Sequence, residues 1–257
     1  MQGISIVTGT LNRKPYLSGL LQNTVWADDR IELVLVDGGS TDGTVEMMEH
    51  LEKEYPRIKF IQVGERSSYP HYMNLGVANA SNDLICQWND DVILCNEWQE
   101  VFDSIDEAHD AYLFNWKTGH SDDIHNSDWM RCSHMRDNGW IIINNADFNY
   151  PQSAGEQRGE VVMNYGIYKK SVFRNYGLYN KNYGYYCADG EMAMRAYYQG
   201  CKFKSLVDIK VCVLPAEKRA VMIQSDVQRY YRDCYHYVNI RDENIDIKDL
   251  FDGEYLT

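Results

Sequence analysis

The sequence has few basic residues for the number of acidic ones. Lys and Arg number 25 against 38 Asp and Glu, which gives a formal net charge of −13 over 257 residues. An acidic surface does not attract nucleic-acid backbone or anionic lipid by charge, so we expect no nucleic-acid partner. A ligand that carries phosphate would therefore need a local cation in its site.

The sequence also lacks closely spaced cysteine pairs and long apolar runs. The seven cysteines are an odd number and include no C-x-x-C pair, which is typical of reduced core cysteines and not of a disulfide framework or a zinc site. No secretory segment precedes the first strand, and no apolar run approaches the roughly 18 residues of a membrane helix. We expect a cytoplasmic protein without a transmembrane segment, and peripheral membrane contact stays open.

Two common nucleotide-binding motifs are absent. Neither G-x-G-x-x-G after the first strand nor G-x-x-x-x-G-K-[ST] occurs, which excludes an ordinary dinucleotide site and a P-loop NTPase. The glycine-rich stretch VDGGSTDG instead begins with Asp37, whose carboxylate suits the N–H and O–H donors of a nucleobase or ribose. The alternative is a tight turn followed by a helix cap.

Apolar strands alternate with amphipathic helices over the first ninety residues or so. This order predicts an α/β fold with a mostly parallel central sheet flanked by helices. The length suits one compact unit. The predicted strands lie near residues 4–8, 31–36, 58–63 and 84–88, and the predicted helices near 15–24, 45–55 and 69–79.

The fourth predicted strand runs directly into Asn89, Asp90 and Asp91. Ligands of parallel sheets bind at the carboxyl ends of the strands, and clustered oxygen donors there suit a hard cation such as Mg2+ or Mn2+. The alternative is that these three residues only turn the chain or cap the next helix.

The second half is less regular. We predict a helix at 96–105, a strand at 111–116 and a polar surface loop or flap at 117–138. In that loop His125, beside Asp122 and Asp123, could be either a metal ligand or a solvated side chain.

A tyrosine-rich loop at 176–186 precedes a predicted helix with Asp189 and Glu191 in its first turn. Aromatic rings and hydroxyls suit sugar binding, although tyrosine is also an ordinary core residue. A carboxylate beneath such a loop could be a general base, or it could only complement the helix dipole. A strand at 203–206 and a tyrosine-rich helix within 224–251 follow.

Four segments, in order, resemble the family 2 inverting glycosyltransferases of the GT-A fold. The resemblance covers residues 4–95 well and 160–206 loosely, and its specificity comes from the order and spacing of the segments. They are VTGTLNR, ELVLVDGGSTDGT, MNLGVANASNDLICQWNDDV and ADGEMAMR. Three positions depart from the family pattern: Gly38 stands where a second Asp is frequent, Asn89 where D-x-D begins, and Ala188 where the E of an E-D pair stands.

The resemblance implies a metal-dependent, inverting transfer of a sugar from a nucleoside-diphosphate sugar to an acceptor hydroxyl. Asp189 would be the catalytic base, with Glu191 and Arg195 orienting it, and Asp91 would hold Mn2+ or Mg2+. The implied nucleotide-sugar-binding residues are Thr8, Thr10, Asn12, Asp37, Asn74 and Asp90.

The same resemblance implies how the chain is divided. Residues 1–95 would bind the nucleotide sugar, 96–215 would form the acceptor-binding, catalytic half of the same domain, and 216–257 would be a helical tail. The acceptor would be a saccharide or glycolipid, in polysaccharide or glycoconjugate synthesis. One alternative is a sugar-1-phosphate nucleotidyltransferase, although only Arg13 and Lys14 stand where it needs a basic, glycine-rich loop. The other is a non-catalytic nucleotide-sugar-binding module.

Overall fold

The computed structural model describes residues 2–118, 133–135, 141–143, 159–161, 163–214 and 224–243. The strands are β1 Ile4–Thr10, β2 Ile31–Asp37, β3 Ile58–Gln62, β4 Leu84–Gln87, β5 Val92–Leu94, β6 Ala111–Thr118, β7 Ser133–Met135, β8 Ile141–Ile143, β9 Gly159–Val161, β10 Gly166–Lys169 and β11 Phe203–Val213. The helices are α1 Lys14–Asn23, α2 Thr44–Glu54, α3 Tyr69–Asn79, α4 Trp98–Ser104, α5 Lys170–Tyr176, α6 Ala188–Tyr198 and α7 Gln224–Glu243.

Eight strands form the central sheet, in the order β3-β2-β1-β4-β10-β6-β11-β5. Within this described sheet β10 and β5 run antiparallel to their neighbours and the other six strands are parallel. A second sheet has the order β7-β8-β9. The prediction of a mostly parallel α/β sheet flanked by helices is confirmed.

Both faces of the central sheet are buried, which explains the continuous apolar strands. All seven residues of β2 are buried, as expected for a parallel strand covered on both sides. In β1 the alternating side chains divide between two cores: Ile4 and Ile6 pack with α1, α2 and α4, whereas Val7 packs with α3, α5 and α6.

Most predicted elements of the first half are confirmed, and helix α3 has the predicted bounds of residues 69–79. Strand β5 was not predicted, because it pairs with β11, more than a hundred residues away, and three residues give no local pattern. Strand β11 continues seven residues past the predicted end at Leu206, because a bulge between Leu206 and Lys210 restores pairing with β6.

The predicted loop at 117–138 is wrong at its start, which belongs to β6, and at 133–135, which is β7. His125, Asp122 and Asp123 lie outside the described residues. The prediction of core cysteines holds for Cys86, Cys201, Cys212 and Cys234, which are buried, whereas Cys95 and Cys187 are half-buried and Cys132 is outside the described residues. In the described part of the chain, every helix is too short or too polar to cross a membrane.

Helix α3 should be sensitive to a single methyl group. A Cβ on Gly76 would overlap the Val7 side chain, whereas a Cβ on Gly19 of α1 would meet no atom within 4 Å. We expect Gly76→Ala to cost about 1–3 kcal/mol of unfolding free energy through overpacking. Gly19→Ala should be neutral or stabilise by up to about 1 kcal/mol, because alanine is the better helix former.

Urea unfolding of the two variants against the parent protein measures both effects. Equal effects of the two substitutions would contradict the close packing of α3 on β1.

Candidate active site

The carboxyl ends of β1 and β2 are tied together by hydrogen bonds between their turns. The Gly38 amide donates to the Thr10 carbonyl at 2.9 Å. The Asn12 amide donates to Ser40 Oγ at 2.8 Å, and Asn12 Oδ1 accepts from the Thr41 amide at 2.7 Å. Asn12 has a φ of 53°, a left-handed conformation that asparagine tolerates better than most residues. The two turns therefore form one platform.

Asp37 is fully buried and organises the β2 turn. Its Oδ2 accepts the amides of Gly39 at 2.8 Å and Ser40 at 2.9 Å, and its Oδ1 accepts the Ser40 hydroxyl. The structure thus shows the tight turn that the sequence offered as the alternative. Contact of Asp37 with a nucleoside stays a prediction.

The acidic pair lies against the β1 turn. Thr10 donates to Asp90 Oδ2 at 2.8 Å. Arg13 bridges both acids, with Nε 3.2 Å from Asp90 Oδ1 and Nη2 2.7 Å from Asp91 Oδ2. Its guanidinium also lies 4.0 Å from the centre of the Tyr16 ring. From the sequence, Arg13 was predicted to matter only for the nucleotidyltransferase alternative, and its pairing with these acids was not predicted.

Trp88 anchors the acidic turn from behind. Its side chain is fully buried against Trp98, Phe114 and Tyr165, and its amide donates to the Val7 carbonyl at 3.1 Å. Burial raises the pKa of Asp90 to about 6, and the positive charge of Arg13 opposes that rise. The two carboxylates are thus held in place on a rigid base.

Among the described residues, the acidic pair on its own offers few oxygens to a cation. Asp90 Oδ2 accepts a hydrogen bond from Thr10 and Oδ1 accepts one from Arg13. Asp91 Oδ1 accepts none from the described residues. In the part of the chain that the structure describes, no three His, Cys, Asp or Glu side chains cluster as metal ligands. Mg2+ sites often combine one or two carboxylates with substrate phosphates and water, and these residues fit that kind of site.

Asn74 joins α3 to the tyrosine-rich loop. Its Nδ2 donates to the Tyr179 carbonyl and its Oδ1 accepts the Tyr179 amide, both at 2.9 Å. Tyr179 in turn donates from Oη to Gln87 Oε1 at 2.5 Å. Both ends of the Asn74 carboxamide are therefore engaged within the fold. The predicted contact of Asn74 with a nucleotide sugar stays a prediction. Thr8 is likewise fully buried, and its hydroxyl bonds the Gly9 carbonyl at 3.2 Å.

Asp189 is the second residue of α6 and follows the tyrosine-rich loop in the chain. Its Oδ1 accepts the Gly190 amide at 2.9 Å, and burial raises its pKa to about 6. Burial also raises the pKa values of Tyr69, Tyr168 and Tyr179, and the negative charge of Asp189 adds to each rise. Asp189 is therefore a carboxylate in a largely phenolic environment.

Glu191 and Arg195 fix α6 to the preceding loop. Arg195 Nε lies 2.8 Å from Glu191 Oε1, and Nη2 lies 3.1 Å from Oε2. Arg195 also donates to the carbonyls of Tyr176 and Leu178. Glu191 is 0% and Arg195 4% exposed, so the pair supports the helix from inside the core. Its predicted role in orienting Asp189 stays a prediction.

Two tyrosines connect Asp189 with the strand end that carries the acidic pair. Tyr179, whose pKa responds to Asp189, bonds Gln87, four residues before Asp91. Tyr165 accepts from Asn89 Nδ2 at 3.2 Å and contributes, like Asp189, to the raised pKa of Tyr69. Among the described residues, no hydrogen bond or ion pair joins Asp189 to Asp90 or Asp91, so the convergence of these carboxylates on one cleft stays a prediction.

Tyr72 explains the departure at Gly38. The φ of Gly38 is outside the left-handed region, so its backbone would accept a side chain. However, a Cβ there would overlap Tyr72 Oη and lie 3.1 Å from Cζ. Tyr72 Oη accepts the Ser67 amide at 2.6 Å and donates its own proton to no described residue. The Tyr72 hydroxyl therefore fills the space that a side chain at position 38 would need, and this contact was not predicted from the sequence.

Sequence comparisons identify related proteins. A sequence model described as "Glycosyl transferase family 2" matches residues 5–177. A "Dolichyl N-acetyl-alpha-D-glucosaminyl phosphate 3-beta-D-2,3-diacetamido-2,3-dideoxy-beta-D-glucuronosyltransferase" of Methanococcus voltae is 32% identical over 89 residues, 33% of this chain and 27% of that protein. An "Uncharacterized glycosyltransferase YfnE" of Bacillus subtilis (strain 168) is 27% identical over 95 residues, 36% and 24% of the two chains. The matches span about a quarter of these relatives.

Solved structures share the fold at low identity. Residues 1–349 of TarS from S. aureus give a TM-score of 0.64 at 15% identity, covering 95% of this chain and 66% of that chain. The same protein in complex with UDP-GlcNAc gives 0.64 at 16%, covering 95% and 68%. Mannosyltransferase PcManGT from Pyrobaculum calidifontis, in complex with GDP-Man and Mn2+, gives 0.57 at 16%, covering 98% and 65%. These likenesses confirm the GT-A type fold.

The packing of Tyr72 against Gly38 predicts a measurable coupling. Gly38→Ala alone should cost about 1–3 kcal/mol of unfolding free energy, because the new methyl group overlaps the hydroxyl. In a Tyr72→Phe background the hydroxyl is gone, and the same change should cost at least about 1 kcal/mol less.

A double-mutant cycle by urea unfolding measures this coupling and separates it from loss of the Ser67 bond. Strict additivity of the two substitutions would show that Tyr72 does not exclude a side chain at position 38.

Proposed function

Because the chain belongs to glycosyl transferase family 2, we propose that it transfers a sugar from a nucleoside-diphosphate sugar to a hydroxyl group of a saccharide or glycolipid, with inversion at the anomeric carbon. This match covers the first three of the four sequence segments and confirms the family resemblance, whereas ADGEMAMR lies beyond the matched residues. Polysaccharide or glycoconjugate synthesis is the process that such a transfer serves. The complexes of TarS with UDP and UDP-GlcNAc and of PcManGT with GDP-Man support the class of donor.

The observation that carries this proposal is the environment of Asp189. Burial raises its pKa to about 6, and its charge acts on Tyr179, whose hydroxyl bonds Gln87 at the end of β4. A carboxylate with a raised pKa is a stronger base than an exposed one and is still ionised at neutral pH. Asp189 is therefore suited to accept a proton from a hydroxyl group.

In the proposed reaction the acceptor oxygen forms a bond to the anomeric carbon while Asp189 takes the hydroxyl proton. The bond between that carbon and the diphosphate oxygen breaks on the opposite face, and the nucleoside diphosphate leaves with the electron pair. Attack opposite to the leaving group inverts the configuration. Asp189 acts mainly in the transition state, where the hydroxyl proton becomes acidic.

The leaving diphosphate would be held at the acidic pair. We propose that Asp91, assisted by Asp90, holds Mn2+ or Mg2+ together with the diphosphate oxygens, and the cation would neutralise charge on the leaving group. Arg13 adds a permanent positive charge beside both acids. In an acidic chain, this arrangement supplies the local cation that a phosphate ligand needs.

The nucleoside would bind on the platform formed by the β1 and β2 turns. Thr10, Asn12 and Asp37 shape this platform, and the Tyr72 hydroxyl offers a proton beside Gly38. Buried Thr8 and the engaged Asn74 would contribute by supporting the platform and the loop. A nucleobase or ribose oxygen is the acceptor that suits the Tyr72 proton.

Substitution of the base tests the function directly. Asp189→Asn should leave donor affinity within about twofold and lower turnover by at least about 10²-fold, because general base catalysis is lost. In the parent protein, kcat/KM should fall as pH falls through about 6, because protonated Asp189 cannot accept the hydroxyl proton. Chromatographic detection of the glycosylated product gives the rate, and calorimetry gives donor affinity.

The control is Asp208→Asn, which changes an exposed carboxylate on β11 and should keep full activity. If Asp189→Asn retains parental turnover, Asp189 is not the base. If the parent protein binds a nucleotide sugar and transfers nothing to any hydroxyl, the binding-module alternative replaces the enzyme.

The metal proposal predicts a dependence of binding on both nucleotide and cation. Thermal unfolding with UDP, GDP, dTDP or CMP should show one nucleotide that raises Tm more with Mn2+ than without it, since ligands of the native state stabilise it. Mn2+ alone should raise Tm little, because the described residues offer few free oxygens. Asp91→Ala should abolish the extra stabilisation by Mn2+.

Asp91→Asn is the matched variant, because it keeps the size of the side chain and removes its charge. An unchanged Mn2+ increment in both variants would place the cation elsewhere.

A further inference from the structure

The turn that leads into α6 is held by a carboxylate from α7. Asp226 accepts the amide of Gly184 at 3.0 and 3.1 Å, that of Tyr185 at 2.9 Å and that of Tyr186 at 3.1 Å. Successive amides that converge in this way form an anion-binding nest. Asp226 is 3% exposed. Burial opposes its ionisation, yet the three amides lower the pKa of Asp226 below its ordinary value.

The backbone is strained immediately after this nest. Cys187 has φ 63° and ψ 2°, a left-handed conformation that costs a non-glycine residue roughly 1–2 kcal/mol. Such a conformation persists only where its surroundings fix it. Cys187 is the N-cap of α6, so its conformation sets the direction in which the helix leaves the turn. Asp189 is two residues further along.

Helix α7 also contacts the chain on the other side of Asp189. A Cβ on Gly190 would lie 3.2 Å from Cε2 of Tyr230, so this ring packs directly against the residue that follows Asp189. Tyr183, which precedes the nest, donates to Asp233 Oδ2 at 2.8 Å. The described part of α7 therefore contacts the segment 183–190 at three points, and it is the contact of Asp226 that holds the amides of the turn itself.

The opposite side of the turn rests on the segment before α3. The Tyr69 amide donates to the Gly184 carbonyl at 2.8 Å, and Tyr185 Oη donates to the Ser67 carbonyl at 2.7 Å. The turn is thus clamped between two segments, and on the α7 side the bonds to its amides come from Asp226. Because Asp226 bonds three consecutive amides, loss of its charge would weaken all three bonds on the α7 side of the turn.

We propose that Asp226 is a positioning residue: by holding the amides of residues 184–186, it fixes the strained turn at Cys187 and thereby the location of the Asp189 carboxylate. This inference rests on the proposed function of Asp189. It concerns a residue outside the 5–177 region matched by the family. It also gives the predicted helical tail a role in catalysis without contact with the substrate.

Asp226→Asn tests the proposal, since a carboxamide keeps the size of the side chain and loses the charge that three N–H donors require. Amide hydrogen exchange of residues 184–190 should accelerate at least about tenfold. The kcat should fall about tenfold or more, because small displacements of a catalytic group are costly, while KM for the donor stays within about twofold. Asp226→Glu, which keeps the charge, should give a kcat between those of the parent and of Asp226→Asn.

The matched control is Asp233→Asn on the same helix. Among the described residues, the Asp233 carboxylate accepts from the side chains of Tyr183 and Arg232 and not from the amides of the turn. This variant should loosen α7, as measured by urea unfolding, and keep kcat within about twofold. Its stability shows how much of any effect follows from weaker packing of the helix.

Unchanged exchange at 184–190 in Asp226→Asn would overturn the proposal. So would parental kcat in that variant, or an equal fall of kcat in Asp233→Asn at equal stability. If Asp226→Asn does not fold, the comparison of Asp226→Glu with the parent protein decides by the same two measurements. Absence of sugar transfer by the parent protein would contradict the proposed function instead, and hydrogen exchange would still decide whether Asp226 holds the turn.

Discussion

Burial of the central sheet on both faces is the constraint on which the rest of the structure depends. Because neither face of β1, β2 or β4 meets water, a polar residue within a strand needs a partner, as Ser5 has in Glu32, and the polar clusters follow the carboxyl ends. Parallel pairing then brings these ends to the same edge, so Thr10, Asp37 and the acidic pair become neighbours. The hydrogen bonds between the turns and the Arg13 bridge follow from this placement. The clustering of polar side chains at this edge therefore follows from the burial of both faces of the sheet.

Two carboxylates with raised pKa values lie in contrasting surroundings. Asp90 is buried beside Arg13, whose charge favours its ionised form, whereas at Asp189 the rise in pKa is opposed by backbone hydrogen bonds and not by a cation. At both sites burial raises the pKa to about 6, so both carboxylates are mostly ionised at neutral pH. The Arg13 charge suits the cation and phosphate site proposed at Asp90, whereas a carboxylate without a cationic partner among the described residues suits the proton transfer proposed for Asp189.

Local sequence patterns predicted the elements that are periodic and the residues that follow them. The apolar run of β2, the helix 69–79 and the polar cluster at 89–91 were all recognisable, because each is encoded within one segment. Contacts between distant segments were not. The residues around Gly38 do not indicate its contact with Tyr72, and those around Asp91 do not indicate its ion pair with Arg13. In the sequence, Asp226 resembles any acidic residue at the start of a helix. Each acquires its role only when the chain folds back on itself.

The central sheet includes a strand that lies outside the residues matched by the family. The family match ends at residue 177, whereas β11, at 203–213, lies in the sheet between β6 and β5. A fragment trimmed to the matched residues would lose that strand and leave β5, which begins directly after Asp91, without its partner. The Leu214 amide, which donates to the Asp91 carbonyl at 2.8 Å, would be lost as well. Residues 5–177 alone therefore lack a strand and a hydrogen bond that hold the sheet edge next to Asp91.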